Sequence, residues 1–80
     1  MNIQEFLSLM ARGNYRITLH ALKRMAERNI TDADIRNSAI TGSVLIMKDG
    51  KLKVKGFDLD GEELIVICVI EDGIIIVTVF

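Results

Sequence analysis

The sequence contains one cysteine, one histidine, no proline and no tryptophan among its 80 residues. The single cysteine, Cys68, excludes an internal disulfide and every metal site built from several thiolates. A single histidine, with no tight group of acidic residues around it, supplies too few ligands for an ordinary metal hydrolase. We therefore expect neither a metal nor another cofactor. The apolar neighbours of Cys68 indicate a small buried side chain.

Long hydrophobic runs are also absent. The longest, from Leu64 to Ile70, is far shorter than the roughly 18 residues that span a bilayer. The first residues include Glu5 and lack the charged start and apolar centre of a signal peptide. These absences predict a soluble, cytoplasmic protein without a membrane partner.

The formal net charge is −1, which excludes a globally basic nucleic-acid binder but not a local basic patch. Residues 1–41 carry six Lys or Arg and four acidic residues, whereas residues 42–80 carry four Lys and seven acidic residues. No linker, repeat or low-complexity tract separates these halves, so we expect one domain over residues 1–80. Half of the residues are hydrophobic, far too many for a disordered chain.

The first half predicts three short helices, the second of them over about Leu19–Arg28. Each lies between a residue whose side chain can cap a helix start and one whose backbone can end a helix. The candidate caps are Asn2, Thr18 and Thr31, and the candidate helix ends are Gly13, Asn29 and Gly42.

Three Asp-Gly pairs divide the second half of the sequence. Asp-Gly suits the positive φ angles of tight hairpin turns. The pairs at 49–50, 60–61 and 72–73 therefore predict four strands over about 43–48, 51–57, 63–70 and 74–80. The predicted fold class is α+β, with two to three N-terminal helices packed on one face of a four-stranded antiparallel meander.

The last two predicted strands are apolar on both faces. A two-residue turn at Asp72-Gly73 would place Ile70 opposite Ile75 and Val66 opposite Val79. One face can pack on the helices, and we predict that the other binds a partner or a second copy. The predicted interface residues on that face, which also includes Thr78, are Ile65, Ile67, Val69, Ile74, Ile76 and Phe80. The alternative is that strand curvature and the first helix cover them.

The segment 18–31 is the most informative about function. His20, Arg24 and Arg28 recur at every fourth residue, so they lie along one face of the second helix, and Lys23 widens that face. Aligned cations repel one another, but guanidinium groups bind phosphate oxygens well and a nearby histidine can accept a proton. The alternative is that His20 makes a local hydrogen bond and that the arginines are an ordinary solvated face.

The string H-A-x-x-R-M-x-x-R-x-I, here from His20 to Ile30, resembles the motif of a prokaryotic family of small domains of unknown function. The ending from Ile74 to Phe80 is also similar, although Phe80 stands where the family commonly has tyrosine. These proteins resemble the RelE/BrnT toxin superfamily. The resemblance implies a RelE-like fold and a role in a type II toxin–antitoxin system. It also implies an antitoxin partner, in some cases one with a YgiT-type zinc finger.

The resemblance makes His20, Arg24 and Arg28 the candidate catalytic residues of a metal-independent endoribonuclease. His20 would act as general base or acid on RNA, while both arginines would hold the phosphate.

Further cations could bind the RNA backbone. The predicted RNA-binding residues are Lys23 on the second helix and the alternating Lys51, Lys53 and Lys55 on the second strand. The sequence does not fix which face carries the three strand lysines, because this depends on the register at Asp60-Gly61. A strict two-residue turn would place them on the same face as Cys68, so either that face is not wholly core or the turn carries a bulge.

A function of a different class stays open, namely a non-catalytic interaction module that forms a homodimer through its C-terminal β-hairpin. The isoelectric point near 5.7 favours this alternative, because ribonuclease toxins are usually more basic. The two hypotheses differ in whether the chain is an enzyme at all.

Overall fold

A computed structural model describes all residues from Met1 to Phe80. In chain order the elements are α1 (Ile3–Ala11), β1 (Arg16–Ile17), α2 (Leu19–Arg28), α3 (Asp32–Thr41), β2 (Ser43–Ile46), β3 (Leu52–Phe57), β4 (Glu63–Ile70) and β5 (Ile74–Val79). The strands form one sheet in the order β1-β5-β4-β3-β2. The fold is α+β, with three helices and a five-stranded mixed sheet.

The predicted helix ends are confirmed, because each depends on residues that are close in sequence. The side chains of Asn2, Thr18 and Thr31 accept hydrogen bonds from backbone N–H groups in the first turns of α1, α2 and α3. In α3 the cap is reciprocal, since the Asp34 carboxylate accepts from the Thr31 N–H at 2.8 Å. Asn29 takes the left-handed conformation that ends α2, with φ of 55°.

The predicted antiparallel meander is present as β2 to β5, but an additional strand makes the sheet mixed. Arg16 and Ile17 form β1, which pairs in parallel with Ile75 and Ile76 of β5. The prediction of a four-stranded, purely antiparallel sheet is therefore wrong. A two-residue strand is too short to show the alternation that predicts a strand, and its partner lies at the other end of the sequence.

The β3–β4 connection, whose register the sequence leaves open, is longer than a strict two-residue turn. The last residue of β3, Phe57, pairs with the first residue of β4, Glu63. Within the loop, the Asp58 carboxylate accepts hydrogen bonds from the N–H groups of Asp60 and Glu62, both at 2.9 Å. This side chain therefore stabilises the longer loop from inside.

The length of this loop decides which face carries the lysines. Lys53 lies opposite Ile67, and Lys55 lies opposite Ile65. Because strand side chains alternate between the two faces, the lysines point away from the helices. They do not share the face of Cys68, as the two-residue turn would require.

The β4–β5 turn also differs from the prediction by one residue. Ile70 pairs with Ile74 and not with Ile75. Positive φ angles of 53° at Asp72 and 103° at Gly73 close this turn. A one-residue change in register exchanges the two faces of a strand.

A β-bulge in β5 restores the predicted register further along the hairpin. Cys68 pairs with Ile76, whereas the preceding residue Ile67 pairs with Thr78. Val77 is therefore the extra residue, left without a partner on β4.

The changed turn places Ile74 and Ile76 in the core, where they are 2% and 0% exposed. Their prediction as interface residues is therefore wrong. Beyond the bulge, Val66 pairs with Val79 as predicted.

All three helices pack on one face of the sheet. They contribute Phe6, Met10, Ala21, Met25, Ile35 and Ala39 to a single cluster of 13 buried residues. The strands contribute Val54, Leu64, Val66, Cys68, Ile74, Ile76 and Val79. The predicted burial of Cys68 is therefore confirmed.

The opposite side of the sheet, here called the open face, carries no helix. Its side chains include Leu45, Lys51, Lys53, Lys55, Ile65, Ile67, Val69, Ile75, Thr78 and Phe80. Ile67 is nevertheless only 5% exposed. Its sheet neighbours Lys53 and Thr78 flank it, and a lysine stem can cover an apolar side chain while its ammonium group stays in water.

Helix α3 approaches β3 so closely that two glycines are required. A Cβ at Gly56 would lie 2.9 Å from the Ser38 carbonyl carbon, and one at Gly42 would lie 2.8 Å from the Lys55 carbonyl carbon. These are backbone atoms and cannot swing aside. Ser38 is fully buried and satisfies its hydroxyl within α3, by donating to the Ile35 carbonyl oxygen at 2.6 Å.

Replacing Gly56 by alanine should lower the free energy of unfolding by about 1–3 kcal/mol, because the methyl group must push α3 away from β3. Urea unfolding followed by circular dichroism measures this loss. Gly61→Asn is the matched control, since a Cβ there meets nothing within 4 Å and asparagine tolerates a positive φ. Equal losses in both variants would contradict the close approach.

The Asp34 carboxylate joins α3 to the β3–β4 loop. Besides its hydrogen bond with Thr31 at the start of α3, it accepts a hydrogen bond from the Leu59 N–H at 2.9 Å. The hydrogen bonds from the Thr31 and Leu59 backbones hold the pKa of Asp34 below its usual value.

Because the pKa of Asp34 is lower in the folded chain than in the unfolded chain, its contribution to stability is present above about pH 4. That contribution is lost as the pH falls through the folded-state pKa. Asp34→Asn should lower the free energy of unfolding by about 1–2 kcal/mol at pH 7, and the difference from wild type should shrink in acid. Denaturation at a series of pH values tests this, with the exposed Asp60→Asn as control. A difference that is constant with pH would contradict it.

Candidate functional site

The start of α2 is attached to β5 at the bulge. The Thr18 N–H donates to the Ile76 carbonyl oxygen at 3.1 Å, and the Thr18 hydroxyl donates to the Val77 carbonyl oxygen at 3.2 Å. The same hydroxyl accepts from the Ala21 N–H at 3.1 Å. Thr18 thus begins α2 and also fixes it to the sheet.

His20 and Arg24 continue this attachment along the end of β5. Nε2 of His20 lies 3.2 Å from the Thr78 hydroxyl oxygen. The Nε–H of Arg24 donates to the Val79 carbonyl oxygen at 3.3 Å, and the guanidinium carbon lies 5.4 Å from the centroid of the Phe80 ring, within cation–π range. The structure therefore brings two of the three candidate catalytic residues to one strand end.

Arg28 and Lys23 take no part in this contact. Both are exposed, and neither belongs to an ion pair. Arg28 lies in the last turn of α2, where a cation also stabilises the helix through its dipole. Both charges are accessible to an external anion, but nothing within the protein holds them in a fixed position.

A shallow pocket of about 380 Å³ connects the start of α2 with the open face. Its lining residues are His20, Met47, Asp49, Lys51, Ile67, Val77, Thr78 and Phe80. Of the three strand lysines only Lys51 lines the pocket, while Lys53 and Lys55 extend along the same face beyond it. The lysines, here called the lysine column, therefore share the open face with the edge of the pocket formed by His20.

Two acidic side chains reduce the positive charge of the lysine column. Nζ of Lys51 lies 3.0 Å from Asp49 Oδ2, and Nζ of Lys55 lies 3.7 Å from Glu63 Oε2. Hydrogen bonds from Lys51, first that of its backbone N–H, lower the pKa of Asp49. Lys53 is the member of the column without an acidic partner.

The pocket, together with Arg24 beside its Phe80 ring, combines groups that suit a phosphodiester with groups that suit a base. The His20 ring can exchange a proton with a bound ligand, and Arg24 and Lys51 carry charges that can neutralise a phosphate. Phe80, about half exposed, adds an aromatic ring on which a nucleobase can stack.

The lone thiol of the chain does not provide a reactive group. Cys68 is fully buried, and burial raises the pKa of its thiol to about 12, so that the thiolate is scarce at neutral pH. The structure contains no group of three or more His, Cys, Asp or Glu side chains placed to hold a metal ion. None of its helices has the length and apolar character needed to cross a bilayer.

Three polar or flexible lining residues, Thr78, Asp49 and Met47, were not predicted as site residues. Thr78 does carry a signal, because it is the one polar residue between Ile74 and Phe80. In the sequence, Asp49 indicates only a turn. The folded sheet shows that the hairpin containing it reaches the pocket.

Comparison with known proteins identifies a family but no individual relative. Neither the curated proteins nor the solved structures give a match. The family model described as "Domain of unknown function (DUF4258)" matches residues 17–80. The matched range contains α2, α3, strands β2 to β5 and every residue of the pocket. The chain therefore belongs to the family described as Domain of unknown function (DUF4258).

Proposed function

We propose that this protein is the toxin of a type II toxin–antitoxin pair, with a RelE-like fold, and that it binds and cleaves RNA without a metal. The observation that supports this most is the convergence of His20 and Arg24 on the end of β5. At that place the cationic face of α2 meets the pocket and the lysine column. A base and several phosphate-binding groups therefore border one accessible surface.

The cations can follow an RNA strand over several nucleotides. Arg28 and Arg24 lie on successive turns of α2 and lead to His20 at the pocket. From there Lys51, which immediately precedes β3, begins the lysine column. A cationic path beside aromatic and aliphatic side chains is the usual surface for single-stranded nucleic acid.

Arg24 is suited to hold the reacting phosphate. Within the protein it uses only its Nε–H, which donates to Val79. Its two terminal amino groups remain available to bind two phosphate oxygens together. The contact with the Phe80 ring further limits the movement of the guanidinium group.

In the proposed reaction, His20 takes the proton of a ribose 2′-hydroxyl. The 2′ oxygen bonds to phosphorus, and the bond from phosphorus to the 5′ oxygen breaks. The leaving oxygen receives a proton from water, while His20 returns its proton to the solvent. The products are a 2′,3′-cyclic phosphate and a 5′-hydroxyl end. Arg24 and Lys51 stabilise the negatively charged phosphorane that forms during this step.

An antitoxin would bind the open face and block the pocket. Of the predicted interface residues, Ile65, Ile67, Val69 and Phe80 lie on this face. The lysine column runs beside them. An antitoxin segment with acidic and apolar side chains therefore fits best, including one attached to a YgiT-type zinc finger.

The alternative, a non-catalytic homodimer through the C-terminal hairpin, has less support. Ile74 and Ile76 are in the core and cannot contribute to such an interface. Of the predicted interface residues only Ile65, Ile67, Val69 and Phe80 remain on the open face, so this alternative rests on them alone.

Induced expression in bacteria tests the proposal. Wild type should arrest growth and deplete mRNA, whereas His20→Ala and Arg24→Ala should relieve both effects. With purified protein, His20→Ala should slow RNA cleavage in the presence of EDTA by about 10²–10⁴-fold, the usual contribution of a general base.

Arg12→Ala is the matched control, because Arg12 is an exposed cation at the end of α1, on the covered side of the sheet. It should behave as wild type. If wild type is harmless on induction and leaves RNA intact without a partner, the proposed catalytic function is wrong.

Binding of single-stranded RNA should depend on salt through the lysine column. Lys53→Ala should weaken binding for all sequences and reduce the slope of log K against log salt by about 0.7, the value for one lost phosphate contact. Fluorescence anisotropy at several salt concentrations measures the slope. Arg12→Ala should leave it unchanged, and an unchanged slope in Lys53→Ala would remove the column from the RNA path.

A further inference from the structure

Strand β2, four residues long, forms one edge of the sheet and lacks the charged residues, proline and bulge that commonly protect an edge. It pairs only with β3. Its sequence, Ser43–Ile46, contains no charged residue and no proline, and its ladder with β3 has no bulge. Leu45 and Ile46 are 56% and 70% exposed. Edges of this kind pair readily with a further strand.

The backbone groups that are free on this edge can be identified. The Met47 N–H donates to the Lys51 carbonyl oxygen at 2.8 Å. Bonded and non-bonded pairs alternate along an antiparallel ladder, so Leu45 is also bonded to β3. Val44 and Ile46 therefore direct their N–H and carbonyl groups outward, away from the sheet.

We propose that β2 pairs in antiparallel orientation with β2 of a second copy of this chain, with Leu45 on the two-fold axis. In this register Val44 of one copy lies opposite Ile46 of the other. The outward groups of both residues then bond to each other, which gives four hydrogen bonds across the axis. A shift by one residue would place outward groups against inward groups and would mismatch the faces.

The side chains on this edge fit a second copy better than a charged partner. A two-fold interface needs a surface that complements itself. Leu45 meets Leu45 on the open face, and Val44 meets Ile46 on the helix face, so every cross-strand pair is apolar. Neither pair offers a charge that would attract a partner of opposite sign.

A small pocket beside the edge also favours a second copy of the chain as the partner of β2. It has a volume of about 90 Å³, and its lining includes Ile3, Phe6, Val44 and Ile46. Ile46 of the second copy, placed opposite Val44, would cover the mouth of this pocket. The side chain that is most exposed on β2 would thereby become part of an apolar contact.

The resulting dimer would have one continuous sheet with both open faces on the same side. Its two β3 strands would be three strand spacings apart, about 14 Å. Two lysine columns would then lie on a single surface. This inference depends only on the edge and does not require that the protein cleaves RNA.

Charge exchange at position 45 tests the register. Wild type should sediment at about twice 9.0 kDa, and Leu45→Lys and Leu45→Glu should each raise the dimer dissociation constant at least 10-fold. An equimolar mixture of the two variants should restore the dimer, because unlike charges then meet on the axis. A mixture that stays monomeric although wild type dimerises would overturn this register.

Ile46→Lys provides a second test, with Ile40→Lys as matched control. Ile40 is 68% exposed and lies on α3, which takes no part in the proposed strand pairing. Only Ile46→Lys should dissociate the dimer, and circular dichroism should show both variants folded. Deuterium exchange should slow at the Val44 and Ile46 amides as wild-type concentration rises. A monomer at all concentrations, with both amides exchanging freely, would overturn the proposal and leave a strand of a different protein as the occupant.

Discussion

The attachment of α2 to β5 is the contact on which the rest of the site depends. Thr18 reaches Val77, His20 reaches Thr78, and Arg24 reaches Val79. Residues further along α2 therefore contact residues further along β5. The bulge makes this possible, because an extra residue in β5 frees the Val77 carbonyl group and brings Thr78 onto the open face. Without the bulge, the threonine beside His20 would point into the core.

The open face shows how a sheet without a second layer can hold an apolar strip in water. The side chains of β4 on this face lie beside a column of lysines, and Ile67 in their centre is almost fully buried. Lysine stems cover part of this strip while their ammonium groups stay in water, and these charges suit a partner that supplies negative charge. RNA and an acidic protein segment both satisfy this condition, so the two proposed partners would compete for it.

Features that depend on neighbouring residues could be predicted from the sequence, and features that depend on turn length could not. The caps Thr18 and Thr31 and the left-handed Asn29 need only local contacts, and they are as predicted. The faces of the lysines, of Ile74 and of Ile76 depend on one residue more or less in a turn. The Asp-Gly pairs locate those turns but do not state their lengths.

The candidate site likewise combines features that the sequence predicts with features that it does not. The helical spacing of His20 and Arg24 is sufficient to predict that they lie on one face of α2. Their contact with Thr78 and Val79 depends on the bulge, which has no signature in an almost uniformly apolar run. The two-residue strand β1 was missed because it is stabilised only by its pairing with β5.

That pairing has a consequence for how the chain folds. β1 and the start of α2 find their partners at Ile75, Ile76 and Val77, which are 59 positions further along the sequence. Contacts of such long sequence separation form late, because the loop must close before they contribute. On the ribosome, the cationic helix can form its own turns early but cannot reach its position until β5 has left the exit tunnel. The candidate site can therefore be assembled only after β5 has been synthesised.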